Sequence, residues 1–137
     1  MARRLILDTG VLIRAERGRA RLDRVLGDED DVAIAAITAA ELLVGVELAD
    51  EARRAARSVF VDDVIATIPV EDYTLDVAAA HARLLAHVRR AGRPRGAHDL
   101  IIAATAVATG RTVVTADAGA ALGELPGVEE LVVSRAR

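Results

Sequence analysis

The sequence contains no cysteine and no lysine, so its 18 basic residues other than histidine are all arginine. The missing cysteine excludes disulfide bonds, thiolate zinc sites and cysteine nucleophiles. The missing lysine excludes Schiff-base chemistry and any site that needs a lysine ammonium group. Aspartyl-phosphate phosphatases, receiver domains and P-loop nucleotide enzymes usually rely on a lysine, and a glycine-rich phosphate loop is absent too. The composition therefore argues against these enzyme classes.

Aromatic residues and long hydrophobic runs are scarce. Phe60 and Tyr73 are the two aromatic residues besides histidine, so base stacking cannot dominate any recognition of nucleic acid. Hydrophobic runs such as Leu100–Ala104 are far shorter than the roughly 20 residues that a membrane-spanning helix needs. The chain also reaches Asp8 before an apolar core of secretory-signal length has formed. We therefore expect a cytoplasmic protein with no export signal and no membrane contact.

The chain length suits one hydrophobic core. Its 137 residues lie within the usual range of a single domain, and neither a repeat nor a linker is evident. We therefore expect one domain over residues 1–137. The net charge of −3 is too small to indicate a highly charged partner, so the positions of the charges must decide whether nucleic acid binds.

Short apolar segments alternate with segments of helical hydrophobic spacing. The predicted strands are 4–8, 32–37, 64–70, 112–115 and 130–133. The predicted helices are 11–17, 19–26, 38–48, 51–63, 71–90, 97–109 and 118–122. Gly92 with Pro94 ends the long helix, Gly110 ends the next one, and the acidic run 28–31 is interpreted as a solvated loop. The core-facing stripe of the long helix is predicted to be Leu75, Ala79, Ala82, Leu85 and Val88.

This alternation predicts an α/β fold, a three-layer α/β/α sandwich around a parallel sheet of four or five strands. Right-handed crossover connections place every strand-to-helix turn at one edge of such a sheet. Ligands of open α/β folds bind at this carboxyl edge. Side chains that follow the strands are therefore the first candidates for a functional site.

Four carboxylates occupy such transitions. Asp8 ends the first strand, Glu41 follows the second, Asp99 opens a helix that feeds a strand, and Asp117 follows strand 112–115. Carboxylates at one edge repel each other and raise one another's pKa unless a proton or cation intervenes. An oxygen-only ligand set without a histidine requirement favours Mg²⁺ or Mn²⁺ over zinc. The sequence predicts a divalent-cation site formed by these four residues.

Each acid also has a purely structural interpretation. Thr38 and Glu41 fit the spacing of a capping box, and Asp99 would favour its helix dipole without any metal. Asp117 fits a helix N-cap, and Asp8 with the next two residues fits a structural turn. Under this interpretation the chain would be a non-catalytic binding module that acts through protein contacts. Divalent-cation binding that depends on Asp8 separates the two interpretations.

Four segments carry a family resemblance. They are Leu5–Ile13, Ile37–Gly45, His98–Ala106 and Val113–Asp117. In this order and spacing the chain resembles the PIN-domain family, and specifically the VapC-type toxins of type II toxin–antitoxin systems. Each segment alone has low specificity, but the ordered set spans nearly the whole chain.

The resemblance implies a ribonuclease that hydrolyses RNA phosphodiester bonds. It implies that Asp8, Glu41, Asp99 and Asp117 form an acidic pocket for Mg²⁺ or Mn²⁺. Our hypothesis for the mechanism is that Asp8 and Asp99 bind the metal directly. Glu41 and Asp117 would ligate the metal or orient the attacking water. The resemblance also implies a homodimer and a cognate VapB-type antitoxin whose C-terminal segment obstructs the pocket.

Two hydroxyls and one departure complete the comparison with the family. Thr9 follows the first acid and Thr115 precedes the fourth, and the resemblance implies that both hydroxyls lie near the pocket. Relatives commonly carry a further acid and an aromatic residue after the fourth acid, whereas this chain has Ala118–Leu122 there. Whether Asp117 binds metal directly or through water is therefore open.

Arginines precede the third acid. Arg89, Arg90, Arg93 and Arg95 cluster just before the His98-Asp99 segment and are candidates for binding RNA phosphates. The alternative is that Arg89 and Arg90 only complement the C-terminus of their helix. Of the three histidines, His98 is nearest the expected pocket, whereas His81 and His87 lie mid-helix.

Overall fold

Five parallel strands form one sheet in the computed structural model, which describes residues 2–18 and 21–133. The spatial order of the strands is β3-β2-β1-β4-β5. In register, Leu5 of the central strand lies opposite Val32 on one side and Thr112 on the other. The strand bounds are β1 (Arg4–Leu7), β2 (Asp31–Ala35), β3 (Val70–Glu71), β4 (Thr112–Thr115) and β5 (Glu130–Val132).

The helices cover both faces of this sheet. Their bounds are α1 (Thr9–Glu16), α2 (Ala36–Leu48), α3 (Glu51–Thr67), α4 (Leu75–Ala91) and α5 (Ala97–Thr109). Three single turns of 3₁₀ helix, Leu22–Arg24, Ala118–Ala120 and Leu122–Glu124, lie in the connections. No helix of the described residues is long and apolar enough to span a membrane.

Alternation along β1 explains the three layers. Ile6 packs on one face with residues of α4 and α5, while Leu5 and Leu7 pack on the other with residues of α1, α2 and α3. All three side chains are buried, as expected for a central strand covered on both faces. The predicted α/β sandwich with a parallel sheet is confirmed, and the described part of the chain contributes five strands to it.

The predicted strand 64–70 is wrong. Helix α3 continues through Thr67, and only Val70–Glu71 pairs with β2. The β-branched run from Val64 suggested a strand, but Val61 and Val64 are buried together at helical spacing. Tertiary packing of this helical face overrides the local β propensity.

The core-facing stripe of α4 was also predicted incorrectly. Val77, Ala80, Leu84 and Val88 are buried, whereas Leu75 is 85% exposed. Alanines surround the whole helix, so the hydrophobic spacing fits several faces and does not select one. Of the predicted stripe, Val88 is buried and Leu85 is partly buried against the core, whereas Ala79 and Ala82 are exposed.

Three predictions for the first half of the chain differ from the structure. The expected helix 19–26 is limited to the turn Leu22–Arg24 in the described part, and residues 19–20 lie outside it. The run 28–31 is not wholly a solvated loop, because Asp30 accepts hydrogen bonds from Arg3 and Gly27 and β2 begins at Asp31. Helix α2 begins at Ala36, which removes the capping-box geometry expected for Thr38.

A buried arginine fastens the amino edge of the sheet. Arg111 immediately precedes β4, and its side chain is 5% exposed. Its Nη1 donates to the carbonyl oxygens of Leu5 and Asp31 at 3.2 and 2.9 Å and to Asp31 Oδ1 at 3.0 Å. Its Nη2 donates to Glu71 Oε1 at 2.9 Å. One guanidinium therefore joins the starts of β1, β2 and β4 to Glu71, the last residue of β3.

Two glycines give a stability prediction with opposite signs. Gly110 ends α5 at φ 65° with open space around an added Cβ, so Gly110→Ala is expected to cost about 1 kcal/mol of unfolding free energy. Gly45 lies inside α2, where an added Cβ would contact Arg57 at an ordinary 3.7 Å. Gly45→Ala is expected to stabilise by about 0.5–1 kcal/mol. Urea unfolding of the two variants checks both signs, and a stabilising Gly110→Ala would contradict the assigned helix end.

Candidate active site

Asp8 lies at the carboxyl end of the central strand. It directly follows β1 and is the N-cap of α1, where its Oδ1 accepts a hydrogen bond from the backbone N–H of Val11 at 2.9 Å. The residue is only 8% exposed. The first acid therefore has both a capping role and a nearly buried carboxylate at the edge where ligands of α/β folds bind.

Glu41 is held by side chains of two other helices. The hydroxyl of Thr9 donates to its Oε1 at 2.8 Å, and Nδ1 of His98 lies 3.2 Å from its Oε2. The Thr9 oxygen is also 3.2 Å from the hydroxyl of the fully buried Thr38. Glu41 is thus oriented where α1, α2 and α5 meet. Its predicted capping box with Thr38 is absent, because Ala35 is the N-cap of α2 and makes no side-chain cap.

Asp99 lies in the first turn of α5 and is half-buried. The N-cap of this helix is Gly96, and no side chain caps it. A Cβ on Gly96 would come within 3.1 Å of Asp99 Oδ2, so glycine allows the carboxylate to approach the backbone closely. Sequence reasoning did not include Gly96, although a glycine three residues before a candidate ligand is a readable signal of close approach.

Asp117 lies two residues beyond buried Thr115. The Thr115 hydroxyl accepts a hydrogen bond from the backbone N–H of Asp117 at 3.0 Å. Asp117 precedes the turn Ala118–Ala120, but its side chain makes no capping hydrogen bond and the residue is exposed. The fourth acid is therefore held through its backbone, with a solvated carboxylate.

The charges of these acids act on each other. Burial is the main cause that raises the pKa of Asp8, and the charges of Asp99 and Asp117 raise it further. The Thr115 hydroxyl and the Val11 N–H oppose that rise. Burial also raises the pKa of Asp99, as do Glu41 and Asp117, while His98 and Arg95 lower it. The carboxylates therefore form one electrostatic cluster that a cation would stabilise.

Capping explains only one member of this cluster. Asp8 caps α1, but Glu41 is not at the start of α2, and neither Asp99 nor Asp117 makes a cap hydrogen bond. Clustered carboxylates without structural partners cost stability. The structural interpretation therefore leaves Glu41 and Asp117 without a capping role and gives Asp99 only a helix-dipole contribution.

Replacing Asp8 with asparagine is expected to stabilise the metal-free protein near neutral pH. Asparagine caps a helix as well as aspartate does, and it carries no charge that burial and the neighbouring carboxylates would disfavour. An acid whose pKa is raised in the folded protein contributes its full stability below its pKa in the unfolded chain, about 3.8. That contribution is lost as the pH rises through the pKa of the folded state.

We therefore expect a higher Tm for Asp8→Asn than for wild type at pH 7 in EDTA, and no difference near pH 3. Asp50 caps α3 through the Arg53 N–H but is exposed, so Asp50→Asn is the control and should leave Tm unchanged. A lower Tm for Asp8→Asn at pH 7 would contradict the repulsive cluster.

The described side chains alone would not complete a metal site at this edge. In residues 2–18 and 21–133, no three His, Asp or Glu side chains are grouped closely enough to hold a metal by themselves. Mg²⁺ commonly keeps several water molecules and uses only one or two carboxylates. The oxygen-only donors of this edge fit such a hydrated ion.

An open groove runs from the acids towards the loop between α4 and α5. Its lining includes the acids Asp99 and Asp117 and the arginines Arg93 and Arg95. A second concavity, lined by His87, shares Arg93, Arg95 and Glu124 with it. Of the four predicted RNA-binding arginines, Arg93 and Arg95 line this groove. The other two, Arg89 and Arg90, are exposed in the last turn of α4.

A separate cleft lies between α1, α2 and α3. Its lining is mainly apolar and includes Ile13, Leu42 and Phe60. Arg57, at its side, lies 3.5 Å from Glu16. The cleft also reaches Glu41, so it adjoins the acidic cluster from the face opposite α4.

This fold and acidic edge define a PIN domain. Residues 5–123 match the PIN domain family, and the chain belongs to that family. The match includes the four acids and both predicted pocket threonines.

Named relatives narrow the comparison. The chain is 41% identical over 115 residues to Ribonuclease VapC5 of Mycobacterium tuberculosis, covering 82% of each. It is similar to the solved VapBC-5 toxin–antitoxin structure from the same organism, with TM-score 0.79, 35% identity and coverage of 95% of this chain and 98% of the other. It also shares the fold of VapBC2 from Rickettsia felis, solved with a promoter DNA fragment, with TM-score 0.84, 20% identity and 94% and 98% coverage.

Proposed function

We propose that the protein is a metal-dependent ribonuclease toxin of a VapBC-type module, hydrolysing RNA at the acidic edge of its sheet. The observation that carries this proposal is the cluster itself, in which Asp8 and Asp99 are raised in pKa by burial and by neighbouring carboxylates. Similarity to Ribonuclease VapC5 supports the activity.

Asp8 and Asp99 are the residues that would hold Mg²⁺ or Mn²⁺, because burial and neighbouring carboxylates raise the pKa of both, and a cation offsets that effect. A bound divalent cation supplies positive charge that polarises the phosphodiester and lowers the pKa of water. Glu41, fixed by Thr9 and His98, is suited to orient the attacking water. Asp117, which is exposed, is suited to act through water.

Thr115 has an indirect role in this arrangement. Its buried hydroxyl accepts the Asp117 N–H and lowers the pKa of Asp8. Thr9 likewise acts on Glu41 by donating a hydrogen bond. Both hydroxyls therefore orient acids of the cluster, and Thr115 also favours the charged form of Asp8, which is the state that a cation needs.

Arg93 is proposed to bind RNA phosphates, because it is exposed and lines the groove that contains Asp99 and Asp117. Arg93→Ala is expected to raise KM for RNA about 3- to 10-fold with little change in kcat, since a phosphate contact of this kind mainly supplies binding energy. Arg83 is exposed on α4 and outside the groove lining, so Arg83→Ala is the control. Equal KM values for both variants would remove Arg93 from the interface.

We also propose a cognate antitoxin and a homodimer as partners. The similar VapBC-5 structure is a member of a toxin–antitoxin family, which supports the first partner. The apolar cleft between α1, α2 and α3 reaches Glu41, so an antitoxin segment bound in it would contact the site. Occupation of that cleft would then restrict access to the acids.

The test is cleavage of total bacterial RNA by purified protein freed of antitoxin, with Mg²⁺, Mn²⁺ or EDTA. Discrete fragments that form with either metal and vanish in EDTA are expected, and sequencing their 5′ ends identifies the cleavage site. A folded protein that cleaves no RNA with any divalent metal would instead make the chain a non-catalytic binding module.

A further inference from the structure

Among Arg89, Arg90, Arg93 and Arg95, only Arg95 makes side-chain hydrogen bonds to other described residues of the protein. Its side chain is 16% exposed. Its Nη1 donates to the carbonyl oxygens of Ala120 and Ala121, the latter at 3.1 Å, and its Nη2 lies 3.5 Å from Glu124 Oε2. These bonds connect the loop before α5 to the segment that follows Asp117.

Few other hydrogen bonds hold that segment, residues 117–124, in place. It consists of two single 3₁₀ turns, held internally by bonds such as Ala120 N–H to the Asp117 carbonyl at 3.3 Å. Between them, Ala121 adopts a left-handed conformation with φ 47°. A non-glycine residue there costs about 1 kcal/mol or more and persists only where neighbouring contacts enforce it. The carbonyl that Ala121 presents in this conformation is one of the two that Arg95 binds.

The segment is anchored on both sides of the Arg95 contact. At its start, the Thr115 hydroxyl accepts the Asp117 N–H, and beyond Ala121 the side chain of Leu122 is buried in the core. Between these anchors, the residues from Asp117 to Gly119 are exposed. Arg95 supplies the only side-chain hydrogen bonds that the described residues make to the carbonyls of this stretch.

We propose that Arg95 is a positioning residue, which fixes segment 117–124 and thereby holds Asp117 in the groove that it shares with Asp99, and that it is not an RNA contact. The effect on catalysis rests on the proposed function, whereas the effect on the segment does not. The planar fork of arginine donates to two carbonyls at once, which the ammonium of lysine cannot reproduce in the same geometry.

The chain supplies its own control two residues away. Arg93 lines the same groove but is exposed, and it makes no hydrogen bond within residues 2–18 and 21–133. Arg93→Ala and Arg95→Ala therefore each remove one positive charge from the lining of the same groove. Arg95→Ala additionally removes the internal hydrogen bonds and the charge that acts on Asp99, so the charge-conserving Arg95→Lys separates these two effects.

Hydrogen exchange of the purified protein alone, followed by mass spectrometry, tests the segment. We expect amides of residues 118–124 to exchange about tenfold faster in Arg95→Ala than in wild type. Exchange there should be unchanged in Arg93→Ala, and the strands should be unchanged in both. In Arg95→Lys, which keeps the charge, the exchange rate of this segment should lie between those of wild type and Arg95→Ala. Arg95→Lys also tests the proposal if the alanine variant fails to fold. Exchange in Arg95→Lys and Arg95→Ala equal to wild type would overturn the proposal.

RNA cleavage separates positioning from binding. Misplacing Asp117 is expected to lower kcat about tenfold in Arg95→Ala, with KM nearly unchanged, and millimolar guanidinium ion should restore part of the loss. A raised KM with unchanged kcat and unchanged exchange would make Arg95 an RNA contact and overturn the proposal. If wild type cleaves no RNA, the proposed function fails, and the exchange comparison still decides the role of Arg95.

Discussion

Replacing Asp99 with asparagine is expected to lower the rate of RNA cleavage at least about 100-fold, the size typical of losing one preorganised charged group at a reacting centre. The substitution removes a carboxylate whose pKa is raised by burial and by Glu41 and Asp117. It does not remove a helix cap, because Asp99 makes none. Single-turnover cleavage of a defined RNA at saturating Mg²⁺ measures the loss.

Asp76 provides the matched control for this variant. It is also an acid in the first turn of a helix, α4, but it is exposed and outside the groove. Asp76→Asn should cleave at the wild-type rate, and both variants should unfold cooperatively in urea. Wild-type cleavage by a folded Asp99→Asn would remove Asp99 from the site.

Replacing Arg111 with methionine is expected to reduce the free energy of unfolding by about 3 kcal/mol. The change leaves the buried carbonyl of Leu5 without its guanidinium donor and leaves Asp31 and Glu71 without their shared cation. Methionine keeps much of the volume, so the loss reports hydrogen bonds and charge rather than a cavity. Urea unfolding with an unchanged m-value measures it.

Arg4 is the control, because it bonds the same Asp31. Its Nη1 donates to Asp31 Oδ2 at 2.6 Å, but its side chain is 50% exposed. An exposed pair contributes less than about 1 kcal/mol, so Arg4→Met should be nearly neutral. If both variants lose the same free energy of unfolding, the buried network around Arg111 does not stabilise the amino edge of the sheet more than an exposed ion pair does.

The fold was predictable from the sequence where pattern and topology agree. The buried strand Arg4–Leu7 followed by Asp8 reads directly as strand and turn, and parallel topology then places the other strand ends at the same edge. The ends of α4 and α5 were predicted from the glycine that follows each helical pattern. In the structure, Gly92 and Gly110 have the left-handed backbone conformation typical of a helix C-terminus.

Errors arose where local pattern and packing diverge. Val64 has strand propensity but is buried as part of a helical face with Val61. The alanine-rich α4 gave a stripe of the wrong phase, because alanines are compatible with either side. The conformation around Val64 and the buried face of α4 both depend on contacts with neighbouring elements, which the local sequence does not contain.

The candidate site shows the same division. Its acids could be found because each lies near a predicted strand end or helix start. The contacts of Glu41 with Thr9 and His98 join three helices and could not be read from spacing. Arg95 was predicted as an RNA contact because charge is visible in sequence, whereas its bonds to Ala120 and Ala121 depend on a loop conformation.

Calorimetric titration of the metal-free protein with Mn²⁺ tests most directly the claim that the acidic edge is a divalent-cation site. Wild type is expected to bind Mn²⁺, and Asp8→Asn and Asp99→Asn should each weaken binding at least about tenfold. Asp62, exposed on α3, is the control, and Asp62→Asn should bind as wild type does. Mn²⁺ affinity that is equal in wild type, Asp8→Asn and Asp99→Asn would contradict the account.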